Sequence, residues 1–336
     1  MARELILAPE VLHQIEEIKE AEILVGIPSY NSSRTIRPVI RMVMDGLTKY
    51  FPDQRSVVVV CDTGSRDETL TVVNQVAAED SRLILLQHSL HPIHKIITPH
   101  YGIPGRGSAM QSIFQVGEIL KARACAVVDS DLKSIAPEWI ELLLKPVLFE
   151  NFDYVSPFYL RHKYDGTITN SIIYPLTRAL YGKRLRQPIG ADLGISGRLT
   201  SHYLTRDIWH TEMGQSGVDI WMATTAVAEG FRVCQSFLGA KIQEAKNQSS
   251  DLSSLLTQVV GPVFSLMENF EPIWFSTRGS EPLPIYGFHL AVGLQPVNVN
   301  VDRMVNAYRQ GVSDLAAIWK NFLSVEVLDG LKKLEN

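Results

Sequence analysis

Short runs of β-branched and apolar residues alternate with amphipathic stretches through the first half of the chain. AEILVGIP (21–28), SVVVVCD (56–62), RLILLQH (82–88), ACAVVDSD (124–131) and FDYVSPFYL (152–160) read as buried strands. Helical spacing between them predicts helices from Arg34 to Tyr50 and over 67–80, 107–122 and 137–149. The last of these opens on Pro137, where a missing N–H costs least. A charged amphipathic helix over 10–20 precedes the first strand. The alternation predicts an α/β fold, a doubly wound and mostly parallel sheet with helices on both faces. Beyond it, 170–182, 217–230, 251–270 and 302–334 read as helical and 231–239 as a strand, with a Pro- and Gly-containing stretch around 272–298. The expected organisation is a sheet domain over 1–245 and a mainly helical C-terminal extension over 246–336 packed on it.

Composition narrows the partners. Of the 336 residues, 46% are hydrophobic and 20% charged, enough apolar material for a core and too much for a disordered chain. The 32 basic and 36 acidic residues leave a net charge of −4, which argues against a broad nucleic-acid footprint but not against a local phosphate site. No apolar run approaches the ~18–20 residues of a membrane span. The start, MARELILAPEVLHQIEEIKE, lacks the regions of a secretory leader. Three cysteines cannot form a disulfide framework, and Cys61 and Cys125 lie in strand-like runs. A reducing, cytoplasmic location is expected.

Ligands of open α/β sheets bind at the carboxyl ends of the strands, and the polar residues gather there. Pro28, Ser29, Tyr30 and Asn31 follow the first strand, Asp62, Thr63, Gly64 and Ser65 the second, and Asp129, Ser130 and Asp131 the fourth. Asp and Gly also serve strand-end turns, but three such turns on one edge point to a ligand site. Neither GxGxxG nor GxxxxGK[ST] is present, so a dinucleotide or P-loop cradle is excluded. Tyr30 offers a ring for a flat base, and Asp62 an acceptor for a uracil or ribose donor. The two carboxylates of DSD at a strand end offer hard oxygens to Mg2+ or Mn2+ together with phosphate; the competing reading is a turn with two solvated carboxylates. His88, His91, His94 and His100 have no cysteine or carboxylate within their run and read as a loop over the site rather than a metal centre. No GxSxG elbow supports hydrolase chemistry.

The order of PSYN, CDTGSRDET, GRGSA and VVDSDL resembles the GT-A nucleotide-sugar glycosyltransferases. The likeness is to the retaining branch that holds glucosyl-3-phosphoglycerate synthase and mannosylglycerate synthase, and it covers roughly residues 22–245. It implies a metal-dependent hexosyltransferase using a UDP- or GDP-hexose and a small hydroxy-acid acceptor such as glycerate or 3-phosphoglycerate, in compatible-solute synthesis. By the same resemblance Pro28, Tyr30 and Asn31 line the nucleotide site, and Asp62 holds uracil with Ser65 close by. Gly105 and Arg106 stand where the family has a Gly-Lys-Gly loop, which would bring Arg106 to the nucleotide or its phosphates. Asp129 would contact ribose and sugar hydroxyls, Ser130 would belong with it, and Asp131 would ligate the metal. QPIGADLGISGRL (187–199) is similar to the donor-sugar loop, with Gly190 and Ala191 against the hexose. GQSGVDIWM (214–222) is similar to the acceptor-side segment, with Asp219 facing sugar and acceptor; on the residues alone Asp219 is equally a first-turn helix carboxylate favoured by the macrodipole.

Two departures stand out. The family's third metal ligand is a histidine after the following strand, and LGAKIQEAKNQSSDL has none; Gln243 and Asp251 are the candidates there. Phosphoglycerate users carry an Arg and a Thr after strand five, where this chain has Thr167 and Thr169, with Arg161, His162 and Lys163 just upstream as acceptor charge or as a solvated cluster. Hydroxyls suit a weakly charged acceptor, so glycerate is expected to serve at least as well as 3-phosphoglycerate. Met304, Ala307, Val312, Leu315, Ile318, Trp319 and Leu323 form an apolar stripe that reads as core or as a homodimer contact. The alternatives are a nucleotidyltransferase acting on a sugar phosphate, which needs a basic Gly-rich loop where PSYNSSRTI stands, and a catalytically silent binding protein.

Overall fold

All seven residues of β1 (Ile23–Ser29) are buried, and the sheet grows outward from them. In this computed structural model, which describes residues 6–87, 105–244, 252–288 and 299–334, β1 pairs in parallel with β2 (Ser56–Asp62) on one side and with β4 (Ala124–Val127) on the other. Strand β3 (Leu83–Gln87) extends the β2 side in parallel. Beyond β4 come β6 (Leu193–Ser196), β5 (Tyr154–Leu160), β7 (Val233–Ala240) and β8 (Ile285–Tyr286), giving the order β3-β2-β1-β4-β6-β5-β7-β8. Among the described residues only β6 runs antiparallel, against both β4 and β5; β5 therefore points the same way as β1, and so does β7. The connections reverse direction between β1 and β4, which is where a doubly wound sheet opens a crevice at its carboxyl edge.

Period-two alternation sorts the strand side chains into two cores. Ile23, Val25, Ile27, Val58 and Val60 pack with helices α2 (Ile36–Tyr50), α3 (Thr69–Glu79) and α5 (Pro137–Glu150). Leu24, Val57, Val59 and Cys61 pack on the other face with α1 (Pro9–Ile18) and α4 (Arg106–Ile119). The same core continues into α7 (Gly197–Leu204) and α9 (Val218–Ala228). The three cysteines are buried and unpaired. Among the described residues no helix is long and apolar enough to cross a membrane.

Several elements differ from the sequence expectation. A π-helical turn (Thr169–Ile173) leads into α6 (Tyr174–Tyr181), and short α8 (Glu212–Ser216) precedes α9. The chain divides into two compact units, residues 1–161 with 166–294, and 162–165 with 295–336. Helices α10 (Leu252–Asn269) and α11 (Glu271–Ser276) lie in the first unit, where Val259, Val263 and Leu266 of α10 join its core. In the second unit α12 (Val301–Trp319) and α13 (Val325–Lys333) are N-capped by Asn300 and Ser324, and the Tyr308 hydroxyl donates to the Leu331 carbonyl at 2.8 Å. Of the apolar stripe read as core or as a homodimer contact, Met304, Ala307, Leu315 and Ile318 are exposed.

Asp153 ties the edge opposite the crevice. It accepts from the Ser196 hydroxyl at 2.8 Å, from the Arg198 guanidinium at 2.5 Å and from the Arg232 backbone N–H at 3.1 Å, joining the starts of β5, α7 and β7. Burial pushes its carboxyl up, but these donors outweigh burial and hold it below the usual 3.8. A depressed carboxyl stabilises the fold above its unfolded value and ceases to do so as pH falls through the folded one. Asp153→Asn is expected to cost about 1.5–3 kcal/mol at pH 7. Urea midpoints of the two proteins should converge as pH drops below about 4; a gap unchanged at pH 3 would refute the assignment.

Candidate active site

The glycine pair around Arg106 sets the site. Gly105 takes the left-handed φ of 72° that begins α4. At Gly107 a Cβ would lie 1.9 Å from the Gly214 carbonyl oxygen, so only glycine lets α4 rest on α8. Helix α8 leads through Gly217 directly into α9, whose second residue is Asp219. Two residues on, Trp221 packs against Tyr203 and edge-on to Trp209, with ring centroids 4.9 and 5.6 Å apart. The Arg106 and Asp219 backbones are thereby brought within side-chain reach across the crevice.

Arg106 is itself the hub. Its Nε donates to Asp219 at 3.1 Å, Nη1 to Asp129 at 3.0 Å and Nη2 to the Ala191 carbonyl at 3.0 Å. Expected at the nucleotide or its phosphates, the Arg106 side chain is 8% exposed and directs all three guanidinium nitrogens to protein acceptors. A second buried cation completes the cluster: Lys241, just beyond β7, donates to Asp129 Oδ2 at 2.9 Å and to Asp192 Oδ2 at 2.7 Å. Asp192 also accepts the Tyr159 hydroxyl and, at 2.8 Å, the backbone N–H of Asp129, which fixes the DSD turn. Burial lifts the Asp192 and Asp219 carboxyls above their usual range. Burial also opposes the charges of Arg106 and Lys241, but the facing carboxylates outweigh it and hold both cations protonated.

Asp131 sits at the rim, half-buried, with the Gln243 amide at 2.9 Å. That contact follows from backbone pairing: Leu132 bridges Gln243 antiparallel, the Lys133 N–H donates to the Ile242 carbonyl, and the Glu244 N–H to the Asp131 carbonyl. Ser130, grouped from the sequence with the nucleotide-sugar residues, is instead fully buried. Its hydroxyl meets that of Ser32 at 2.8 Å, and its carbonyl accepts from Thr35 at 2.8 Å, anchoring the turn to the start of α2.

The first two strand ends form one knot. Asp62, 1% exposed, accepts the Gly64 and Ser65 backbone N–H groups at 2.9 Å and the Ser65 hydroxyl at 2.5 Å, so it first of all shapes its own turn. The Ser65 oxygen accepts from the Asn31 N–H at 2.8 Å, and Asn31, at φ 48°, accepts from the Arg66 N–H at 2.8 Å. Tyr30 is half-buried beside it, whereas Pro28 lies inside β1 opposite Cys61. Gly190 closes a turn on Gln187, and a Cβ there would strike Pro157 at 2.4 Å. Beyond β5, Arg161 lies over the Tyr159 ring at 5.4 Å, Thr169 is buried at the start of the π-helical turn, and Thr167 is exposed. Asp251 and the four loop histidines lie outside the described residues.

The structure thus unites Arg106, Asp129, Asp131, Asp219, Ala191 and Gln243. Sequence reasoning missed Asp192, Lys241 and Tyr159. The available signal was spacing: Lys241 and Gln243, two apart at a strand end, share a face. Among the described residues no group of three or more His, Cys, Asp or Glu forms a metal-holding set.

No protein-family model matches the chain. It is 29% identical over 111 residues to glycosyltransferase AglD of Haloferax volcanii, spanning 33% of this chain and 15% of that protein. It is 26% identical over 193 residues to glucosyl-3-phosphoglycerate synthase of Petrotoga mobilis, spanning 56% of this chain and 47% of the relative. The match therefore spans less than half the length of either curated relative. Among solved structures, Mycobacterium tuberculosis glucosyl-3-phosphoglycerate synthase with Mn2+, UDP and glucosyl-3-phosphoglycerate superposes with a TM-score of 0.52 at 20% identity, over 76% of this chain and 84% of that one. Its complex with Mg2+ and UDP gives 0.51 at 20% identity, over 76% and 83%. The chain has the GT-A fold of these structures.

Removing the hub leaves two carboxylates without their shared counter-ion. Arg106→Met is expected to lose about 3–5 kcal/mol, read by urea unfolding. Arg106→Lys keeps the charge but cannot reach three acceptors in one plane, and should fall between. A wild-type midpoint for Arg106→Met would show that the network carries no stability.

Proposed function

We propose that the chain is a retaining glycosyltransferase moving a hexose from a nucleoside-diphosphate sugar, UDP-glucose first among them, to glycerate or 3-phosphoglycerate. The observation that carries this reading is the convergence of the DSD turn, Asp219, Ala191 and the Lys241–Gln243 segment at the switch point of a GT-A sheet. The M. tuberculosis protein of the same fold was crystallised with UDP-glucose, Mn2+ and phosphoglyceric acid, and the Petrotoga relative is named for the glucosylated product.

A divalent ion fits the donors at the rim. Asp131 supplies a carboxylate, and half a turn of the Gln243 amide presents Oε1 in place of Nε2. One or two protein oxygens with substrate phosphates is how Mg2+ is ordinarily held. Bound there, Mg2+ or Mn2+ would stabilise the charge developing on the departing diphosphate.

Tyr30 would stack on the base, with Asn31, Asp62 and Ser65 forming the rigid turn beneath it. Asp219, whose side chain is 21% exposed and held by Arg106, would accept from hydroxyls of the hexose and keep the ring oriented. Gly190 and Ala191 would pass close to the sugar. The acceptor would enter at the carboxyl end of β5, where Arg161, Thr167 and Thr169 stand. In front-face transfer its hydroxyl proton passes to the phosphate oxygen that leaves, and Asp219 stays in place as an orienting group.

Incubation with UDP- and GDP-hexoses, Mn2+ and either acceptor, with products read by mass, tests the reading. A glucosylated hydroxy acid supports it; no turnover of any nucleotide sugar, with or without acceptor, refutes it. A strong preference for 3-phosphoglycerate would assign Arg161 to its phosphate. Asp131→Ala should keep its stability within about 0.5 kcal/mol, because the residue lies at the rim. Its turnover should fall about 100-fold or more, the usual consequence of losing stabilisation of developing charge.

A further inference from the structure

Asp129 and Asp131 are equivalent in the sequence, one residue apart on a strand end, yet the protein treats them differently. Both oxygens of Asp129 already carry cationic donors: Oδ1 takes Arg106 at 3.0 Å, and Oδ2 takes Lys241 at 2.9 Å with the Gln243 amide at 3.4 Å. The Lys241 side chain is 3% exposed and cannot swing into solvent without abandoning Asp192, which is itself fully buried. The position of Lys241 is fixed from three sides, by Asp129, by Asp192 and by the Tyr159 ring 5.1 Å away, whose hydroxyl also meets Asp192.

We propose that Lys241 is a built-in counter-ion that closes Asp129 to divalent metal, so that Mg2+ or Mn2+ enters this site only together with a nucleoside diphosphate. The inference rests on the reading of the DSD turn as a nucleotide-sugar metal site. A dication approaching Asp129 meets two fixed positive charges and would have to displace a hydrogen-bonded ammonium from a dry setting, where charges are poorly screened. At the rim it finds the Asp131 carboxylate and the Gln243 amide, too small a protein donor set for a hard cation that prefers six or more oxygens. The diphosphate brings the missing oxygens and leaves the Lys241–Asp129 pair undisturbed. Lys241 is thus a positioning residue: it decides which carboxylate of the pair serves the cation and in what order the ligands arrive.

Mn2+ titrations of the full chain, followed by water-proton relaxation with Mn2+–UDP blanks, test this without reference to turnover. For the wild type, Mn2+ is expected to bind at least about 100-fold more weakly alone than with UDP, because the diphosphate completes its oxygen shell. Lys241→Met should raise the affinity for Mn2+ alone by about tenfold or more, since Asp129 becomes available. That variant leaves Asp192 without its cation and is a candidate for misfolding. Lys241→Gln combined with Asp192→Asn removes the charge pair together, keeps an acceptor for the Asp129 N–H, and is expected to show the same gain. If the wild type binds Mn2+ equally with and without UDP, or if folded variants show no gain, the inference fails while the metal site stands. If no form binds Mn2+ even with UDP, both fail.

Discussion

Everything at the carboxyl edge depends on one guanidinium. The sheet brings Asp129 and Asp219 from opposite sides of the crevice into the low-dielectric interior, where a carboxylate is costly without a partner. Arg106 supplies the partner for both and reaches the Ala191 carbonyl as well. Only a planar, multi-donor cation does this in one side chain. The bridge has a geometric consequence: β4, the loop before β6, and α9 are held at a common point, so the crevice has fixed walls before any ligand enters.

The backbone supports this arrangement through close approaches that no other residue type permits. Gly107 lies on Gly214 with no room for a methyl group, and Gly190 lies on Pro157. Around them, side chains that look like ligand contacts in sequence serve as fasteners. Ser130 ties its turn to α2, and Asp62 is wrapped by the N–H groups that follow it. A site preorganised in this way keeps its polar groups aimed while spending few of them on solvent.

How much of this was legible varies with how local the signal is. Strands β1 to β5 follow from β-branched runs such as SVVVV, and the helices between them from apolar spacing, because burial on two faces leaves its mark in the residues themselves. Strand β6 left no such mark. It is four residues, LGIS, running antiparallel between β4 and β5, and its Gly194 is chosen for contact with the Leu143 carbonyl rather than for strand propensity. The DSD turn, Arg106 and Asp219 were legible as a set because their order along the chain resembles a known pattern. Lys241 and Asp192 were not: a lysine after a strand reads as a solvated charge, and only the fold, bringing together residues 49 positions apart, makes it a buried one. The reach of α10 into the first core was hidden for the same reason, since an apolar helical face does not say what it covers.

The contrast between Asp129 and Asp131 bears on what a D-x-D spacing means physically. Spacing fixes only that two carboxylates leave a strand end near each other; their charge environments are set by what the rest of the sheet places beside them. Here the segment just beyond β7 sets Lys241 against Asp129 and Asp192 and, on the same face, Gln243 against Asp131 at the rim, which makes the first carboxylate part of the protein's internal charge balance and keeps the second at the rim. Lys241 and Gln243, two residues apart, are coupled through their shared contact with Asp129 Oδ2. The two residues act together, and neither is interpretable apart from the Asp129–Arg106 contact that precedes them in the interior.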